Sequence, residues 1–162
     1  SSGELLRREV QAGTERGRQV AGILDSGELV PDDVICPIMR EVLSSPEVAR
    51  GYVLDGFPRS VAQADQAEDL LAGTGGLDAV VYLELPEDTV RQRLAGRAAA
   101  AGRRDDTGDV VDRRLRVFRA ETVPLVDYYR QRDLLVTVDA TPRPDAVTSA
   151  IVAALAARGV GS

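Results

Sequence analysis

The sequence predicts an α/β domain: a parallel sheet with helices on both faces. Three observations point there. Short apolar runs at 52–54, 78–85 and 134–138 alternate with longer segments of helical periodicity, the pattern of strands joined by crossover helices. The run Asp78 to Leu85 is apolar on both faces, as an interior parallel strand has to be. Turn formers follow each run: Asp55-Gly56, Pro86 and Asp139-Ala140-Thr141. Right-handed crossovers are expected. The 162 residues suffice for one domain, 1–162, with a real core.

Composition narrows the chemistry. Hydrophobic residues make up 44% and aromatics 4%, so the core must be aliphatic. A net charge of −6 argues against a general binder of nucleic acid or anionic membrane. All 20 basic residues are arginine, which excludes histidine acid–base chemistry and histidine metal ligation. The single Cys36 excludes an internal disulfide and a cysteine zinc cluster; it suits a small buried residue in a reducing compartment, hence the cytoplasm. No apolar run reaches the roughly 18 residues of a membrane span, and no signal peptide is visible.

Taken in order, Ser1-Ser2 can cap a helix with Glu4 in its first turn. The helical pattern continues from Arg8 to Gly22 and ends near Ser26-Gly27. Glu28 to Asp32 is a loop, and Leu29 and Val30 in it suit core packing. A helix spans Asp33 to Leu43, with Val34, Ile35, Ile38, Met39 and Leu43 near one face, and Ser44-Ser45-Pro46 stops it. Tyr52 to Leu54 reads as a buried strand. Asp55-Gly56 breaks it at the carboxyl end, where open α/β sheets bind ligands. Pro58 fixes the backbone, Arg59 follows, and a helix runs from Ser60 to Leu71 with Gln63 one turn in. A carboxylate and a guanidinium thus sit at one strand end, which suits a metal-bound phosphate beside a second anion; spacing alone equally fits a turn with a surface ion pair. Pro86 opens a helix bearing Arg91, Arg93 and Arg97, the last two on one face. A small-residue, charged stretch from Ala98 to Asp106 leads to one long helix, Asp109 to Arg132, kinked at Pro124. The last helix is Ala146 to Ala157.

The string Asp55-Gly56-Phe57-Pro58-Arg59-Ser60 with Gln63 resembles the adenylate kinase signature. Ser1-Ser2-Gly3-Glu4-Leu5-Leu6-Arg7 and Arg93-Leu94-Ala95-Gly96-Arg97 resemble two further segments of that family. The resemblance implies reversible, Mg²⁺-dependent phosphoryl transfer between ATP and AMP, giving two ADP. It implies an AMP site of Ser2, Gly3, Leu6, Arg7, Leu29, Val30, Gly56, Arg59, Gln63, Arg103 and Arg114, within a monophosphate-binding region over 1–50. Ser2 and Gln63 would read the adenine, and Arg7 and Arg59 the phosphate. Arg93, Arg97, Thr141 and Pro142 would meet ATP. Arg59, Arg93, Arg97, Arg103 and Arg114 would act on the transferring group, and Asp55 would hold Mg²⁺ through water. Residues 97–106 would form a short lid without zinc, with Asp105 and Asp106 orienting its arginines. A monomer is implied.

No G-x-x-x-x-G-K-[ST] stands anywhere in the chain, and there is no lysine. The expected fold is therefore a P-loop NTPase-type sheet whose central first strand and Walker A loop are absent from this chain. That strand would lie between the runs at 52–54 and 79–85, and its absence would leave a gap. Such a chain is expected to bind AMP weakly and to transfer no phosphate alone. Two other readings remain: a kinase for UMP or CMP, whose relatives carry alanine at the Ser2 position and asparagine near Gln63, and a non-catalytic nucleotide-binding remnant.

Overall fold

Helical periodicity broken by glycine and proline sets the first half of the chain. In the computed structural model, which describes residues 1–101 and 108–160, α1 (Ser2–Ala12) ends at Gly13 in the left-handed conformation, φ 64°. Thr14 then caps α2 (Glu15–Ser26) by accepting from the Gly17 amide at 2.9 Å. The uninterrupted helix expected over 8–22 is thus two helices. The turn closes tightly because Gly17 has no side chain: a Cβ there would lie 2.1 Å from the Glu9 carbonyl oxygen. Gly27, also left-handed, ends α2, and α3 (Asp32–Leu43) follows with Asp32 and Asp33 in its first turn.

These helices share one aliphatic core with the 55–59 turn. Leu6, Val20, Val30, Ile35, Met39, Leu43, Phe57 and Leu71 are buried together. Phe57 is the anchor that fastens the turn to the helices; full burial of such a side chain contributes about 1.5–3 kcal/mol. The Phe57–Pro58 peptide is cis. Ser60 caps α4 (Val61–Leu71) by accepting from the Gln63 amide at 3.2 Å.

The sheet has two parallel strands among the described residues, β1 (Val80–Glu84) and β2 (Leu135–Asp139), in register Val80 to Leu135 through Glu84 to Asp139. Alternation sends Val81, Val136 and Val138 against α8 (Pro144–Ala157). Val80 and Leu135 face the opposite side, against Ala64 of α4 and Leu125 and Tyr129 of α7 (Val123–Gln131). Helices therefore cover both faces, as expected. Between the strands lie α5 (Glu87–Ala101) and α6 (Gly108–Val117).

Two further expectations are corrected. Tyr52 to Leu54 forms no strand: it is extended, lacks a ladder partner among the described residues, and leaves Val53 92% exposed. Strand formation needs a neighbouring strand's hydrogen bonds, and none lies beside this segment. For the same reason β1 is only half-buried rather than interior. Between the 51–58 segment and β1 runs an apolar groove of about 640 Å³, walled by α7 residues on one side and α8 residues on the other. Secondly, the long helix at 108–131 is not uniform. A π-helical turn at Phe118–Thr122 joins α6 to α7, with the Val123 amide donating to Phe118. Pro124 stands just inside α7, where it has no N–H to give; the wide turn absorbs the mismatch.

Candidate active site

The chain turns sharply at Gly56, φ +76°. A Cβ there would also lie 2.8 Å from the Ser2 hydroxyl and 3.1 Å from the Arg59 guanidinium, so this position requires glycine twice over. The turn is stitched to the start of α1: the Ser2 amide donates to Asp55 O at 2.9 Å, and Ser2 Oγ donates to Gly56 O at 2.8 Å. Ser2 is 5% exposed. Its proton is committed to the turn, while its oxygen keeps acceptor capacity. Arg59 Nε donates to Gly56 O at 3.0 Å, and Thr122 of the π turn donates to Arg59 O at 2.8 Å. The motif's arginine is therefore held from three sides.

A polar cavity of about 370 Å³ opens beside this turn. Its lining includes Ser2, Gly3, Leu6, Arg7, Leu29, Val30, Asp55, Gly56, Arg59, Gln63, Arg97 and Arg114. Val30 belongs to the helical core as well as to the cavity wall. The Arg7 guanidinium lies across Gly3, within 3.2 Å of where a Cβ would stand. The stem of Arg114 crosses Gly27 in the same way, 2.6 Å from a Cβ position. Gly27 is a cavity residue that sequence reasoning read only as a helix end. Leu24, Glu28 and Ile35 also line the cavity unanticipated, since nothing local marks them apart from ordinary helix and loop positions. Glu28 is paired to Arg113 of α6 at 3.6 Å, tying the Leu29-Val30 loop to the helix that carries Arg114.

Electrostatically, arginines stand close to one another at this turn. The Arg59 pKa lies below the ordinary arginine value, chiefly through desolvation and then through the charge of Arg114; Asp55 opposes this, and Arg7 adds to it. Arginine stays cationic under any such shift. Planar guanidinium forks grouped in this way suit phosphate oxygens.

A second group stands apart. Arg93 of α5 donates to Thr141 O at 3.1 Å and to Pro142 O at 3.3 Å. Asp139 stiffens that loop, accepting from the Thr141 amide at 2.8 Å and its hydroxyl at 2.7 Å. Arg93, Thr141 and Pro142 are thus brought together, but not into the arginine-lined cavity; Arg97, one turn on, does reach it. Arg103, Asp105 and Asp106, with the rest of 102–106, lie outside the described residues. Asp55 lines both the polar cavity and the apolar groove. Among the described residues no group of three or more acidic or cysteine side chains is placed to hold a metal. A lone carboxylate is the donor set Mg²⁺ accepts, because that ion keeps its waters and binds substrate phosphates.

A sequence model of the family described as adenylate kinase matches residues 1–134. An adenylate kinase of Stenotrophomonas maltophilia (strain K279a) is 44% identical over 158 residues, 97% of this chain and 84% of the relative. An adenylate kinase of Xylella fastidiosa (strain 9a5c) is 45% identical over 156 residues, covering 96% and 83%. The chain belongs to the adenylate kinase family. It is a phosphotransferase of the nucleoside monophosphate kinase class. An adenylate kinase of Synechococcus sp. (strain WH7803), 43% identical over 157 residues, extends the likeness beyond those two genera. The structure of this adenylate kinase family member has no helix long and apolar enough to cross a membrane among its described residues.

Proposed function

We propose that the polar cavity is the AMP site of an enzyme catalysing ATP + AMP = 2 ADP. The observation that carries this is the convergence of Arg7, Arg59, Arg97 and Arg114 on one hollow beside Asp55 and Gln63. Arg7 and Arg59 take the acceptor phosphate. Arg97 and Arg114 face the transferring group, together with Arg103 of the lid. Positioning and charge neutralisation are most of what phosphoryl transfer requires. Ser2 and Gln63 read the adenine, while Leu29, Val30 and Leu6 give its ring an apolar bed. ATP's adenine rests on the loop at Thr141 and Pro142, with Arg93 holding that loop. Mg²⁺, held by Asp55 through water, would neutralise charge on the phosphates. Closure of the 28–30 loop and the 97–106 lid excludes water and so suppresses hydrolysis.

The donor phosphates also need a phosphate-binding loop, and this chain offers neither a lysine nor the motif. The groove between 51–58 and β1 lies at the level of the sheet, between the two helix layers. We assign it to a parallel strand in the competent enzyme, whose loop would emerge near Asp55. The enzyme is further assigned as a cytoplasmic monomer acting on free nucleotides.

The test is ADP formation from ATP with a panel of monophosphates, using the enzyme carrying that strand and loop. AMP is expected to be used far better than UMP or CMP. Faster turnover of a pyrimidine monophosphate would overturn the substrate assignment.

A further inference from the structure

Gln63 is 4% exposed and still lines the polar cavity. Its amide is gripped at both ends. The Arg59 backbone N–H donates to Oε1 at 2.8 Å. Nε2 donates to Asp32 Oδ1 at 2.9 Å, and the other oxygen of Asp32 accepts from Gln66 at 3.5 Å. A backbone N–H can only donate and a carboxylate can only accept. Turning the amide over would set donor against donor and acceptor against acceptor, in a place with little water to repair either. One orientation is therefore enforced by two groups at once. In that orientation one Nε2 hydrogen and one Oε1 lone pair are left over for a ligand.

Resting on the assignment of this cavity to AMP, we infer that Asp32 is the positioning residue that makes Gln63 read adenine and reject 6-oxopurines. Adenine presents an amino donor at position 6 beside an acceptor at N1. It needs an amide oxygen at the first and an amide N–H at the second. Hypoxanthine presents the reverse, a carbonyl at position 6 and N1–H, and needs the amide turned over. A free glutamine would serve both bases by rotating. Asp32 and the Arg59 amide forbid the rotation, and of the two only Asp32 is a side chain that substitution can change.

The test is a titration of the protein with AMP and with inosine monophosphate, followed by amide NMR shifts. It uses wild type, Asp32→Asn, Asp32→Ala and Asp33→Asn; Asp33 is an exposed neighbour that matches the change in charge. Asparagine can turn its own amide and donate to a rotated Gln63. Asp32→Asn should therefore leave AMP affinity nearly unchanged and tighten inosine monophosphate, lowering the preference for AMP by about tenfold. Asp32→Ala, which removes the acceptor without adding a donor, should fall between. Asp33→Asn should keep the wild-type ratio. A ratio in Asp32→Asn within about twofold of wild type overturns the inference. So does equal weakening of both nucleotides, the mark of mere structural damage, or an equal loss of preference in Asp33→Asn. Failure of the wild type to bind AMP in this cavity would instead remove the underlying site assignment.

Discussion

Arg59 concentrates the chemistry of the site in one side chain. Its backbone carbonyl is held by Thr122, its amide by Gln63 and its Nε by Gly56. The guanidinium is thereby fixed among Arg7, Arg114 and Asp55. Cations grouped in this way favour a bound phosphate. In the enzyme carrying the phosphate-binding loop, Arg59→Ala and Arg114→Ala should thus each lower turnover by about 10³-fold or more, the scale of arginine contributions to phosphoryl transfer, without lowering the thermal midpoint. Steady-state kinetics and thermal melts check this; near-wild-type turnover in both variants would remove the arginines from the reaction. The turn from Asp55 to Arg59 was legible because it is a contiguous string. Asp32 and Gly27 were not. Each acts on a residue far along the chain, Asp32 on Gln63 and Gly27 on Arg114, and local sequence carries no mark of such a meeting.

At the scale of elements, punctuation was read well and partnership poorly. Ser60 caps α4 where its helix was expected to begin, and α8 opens at Pro144, two residues ahead of the expected Ala146. The break at Gly13-Thr14 was passed over because the polar pattern on either side is continuous; a left-handed glycine before a capping threonine is the signal that overrides it. Tyr52 to Leu54 has a strand's composition without a strand's neighbour. Ion pairs join α5 to α6 and to the π turn. Arg91 of α5 bonds both Glu87 and Asp112 of α6, and Glu87 also accepts from Arg119. Hydrogen bonding from Arg91 holds the Asp112 carboxyl below its usual pKa, and bonding from Arg119 and then Arg91 does the same for Glu87. A carboxyl lowered on folding stabilises the fold above its ordinary pKa and loses that effect as pH falls through its lowered folded-state pKa. The thermal midpoint of Arg91→Ala should accordingly lie below wild type at pH 7, and the difference should diminish as pH falls below the ordinary carboxylate range and as salt is raised. These groups are open to solvent, so the effect is small. A difference that persists at low pH would assign Arg91 a packing role instead.

Across the whole molecule, two hollows of opposite character meet at Asp55. One is polar and lined by arginines; the other is apolar and runs along a strand edge. Three buried clusters hold their walls: one among the helices of the first half, and one on each face of the sheet. The class of fold was readable because alternation of strand and helix survives in any segment of such a chain. The number of strands was not, since it depends on which edges find partners. The central claim is that the polar hollow receives AMP with its phosphate among Arg7, Arg59 and Arg114. The most direct measurement is the change in backbone amide NMR shifts on titrating the protein with AMP, in wild type and in Arg59→Ala. Saturable shifts confined to residues around Gly3, Val30, Gly56 and Gln63, and lost in Arg59→Ala, are the predicted result. Shifts centred elsewhere, or unchanged by Arg59→Ala, would contradict it.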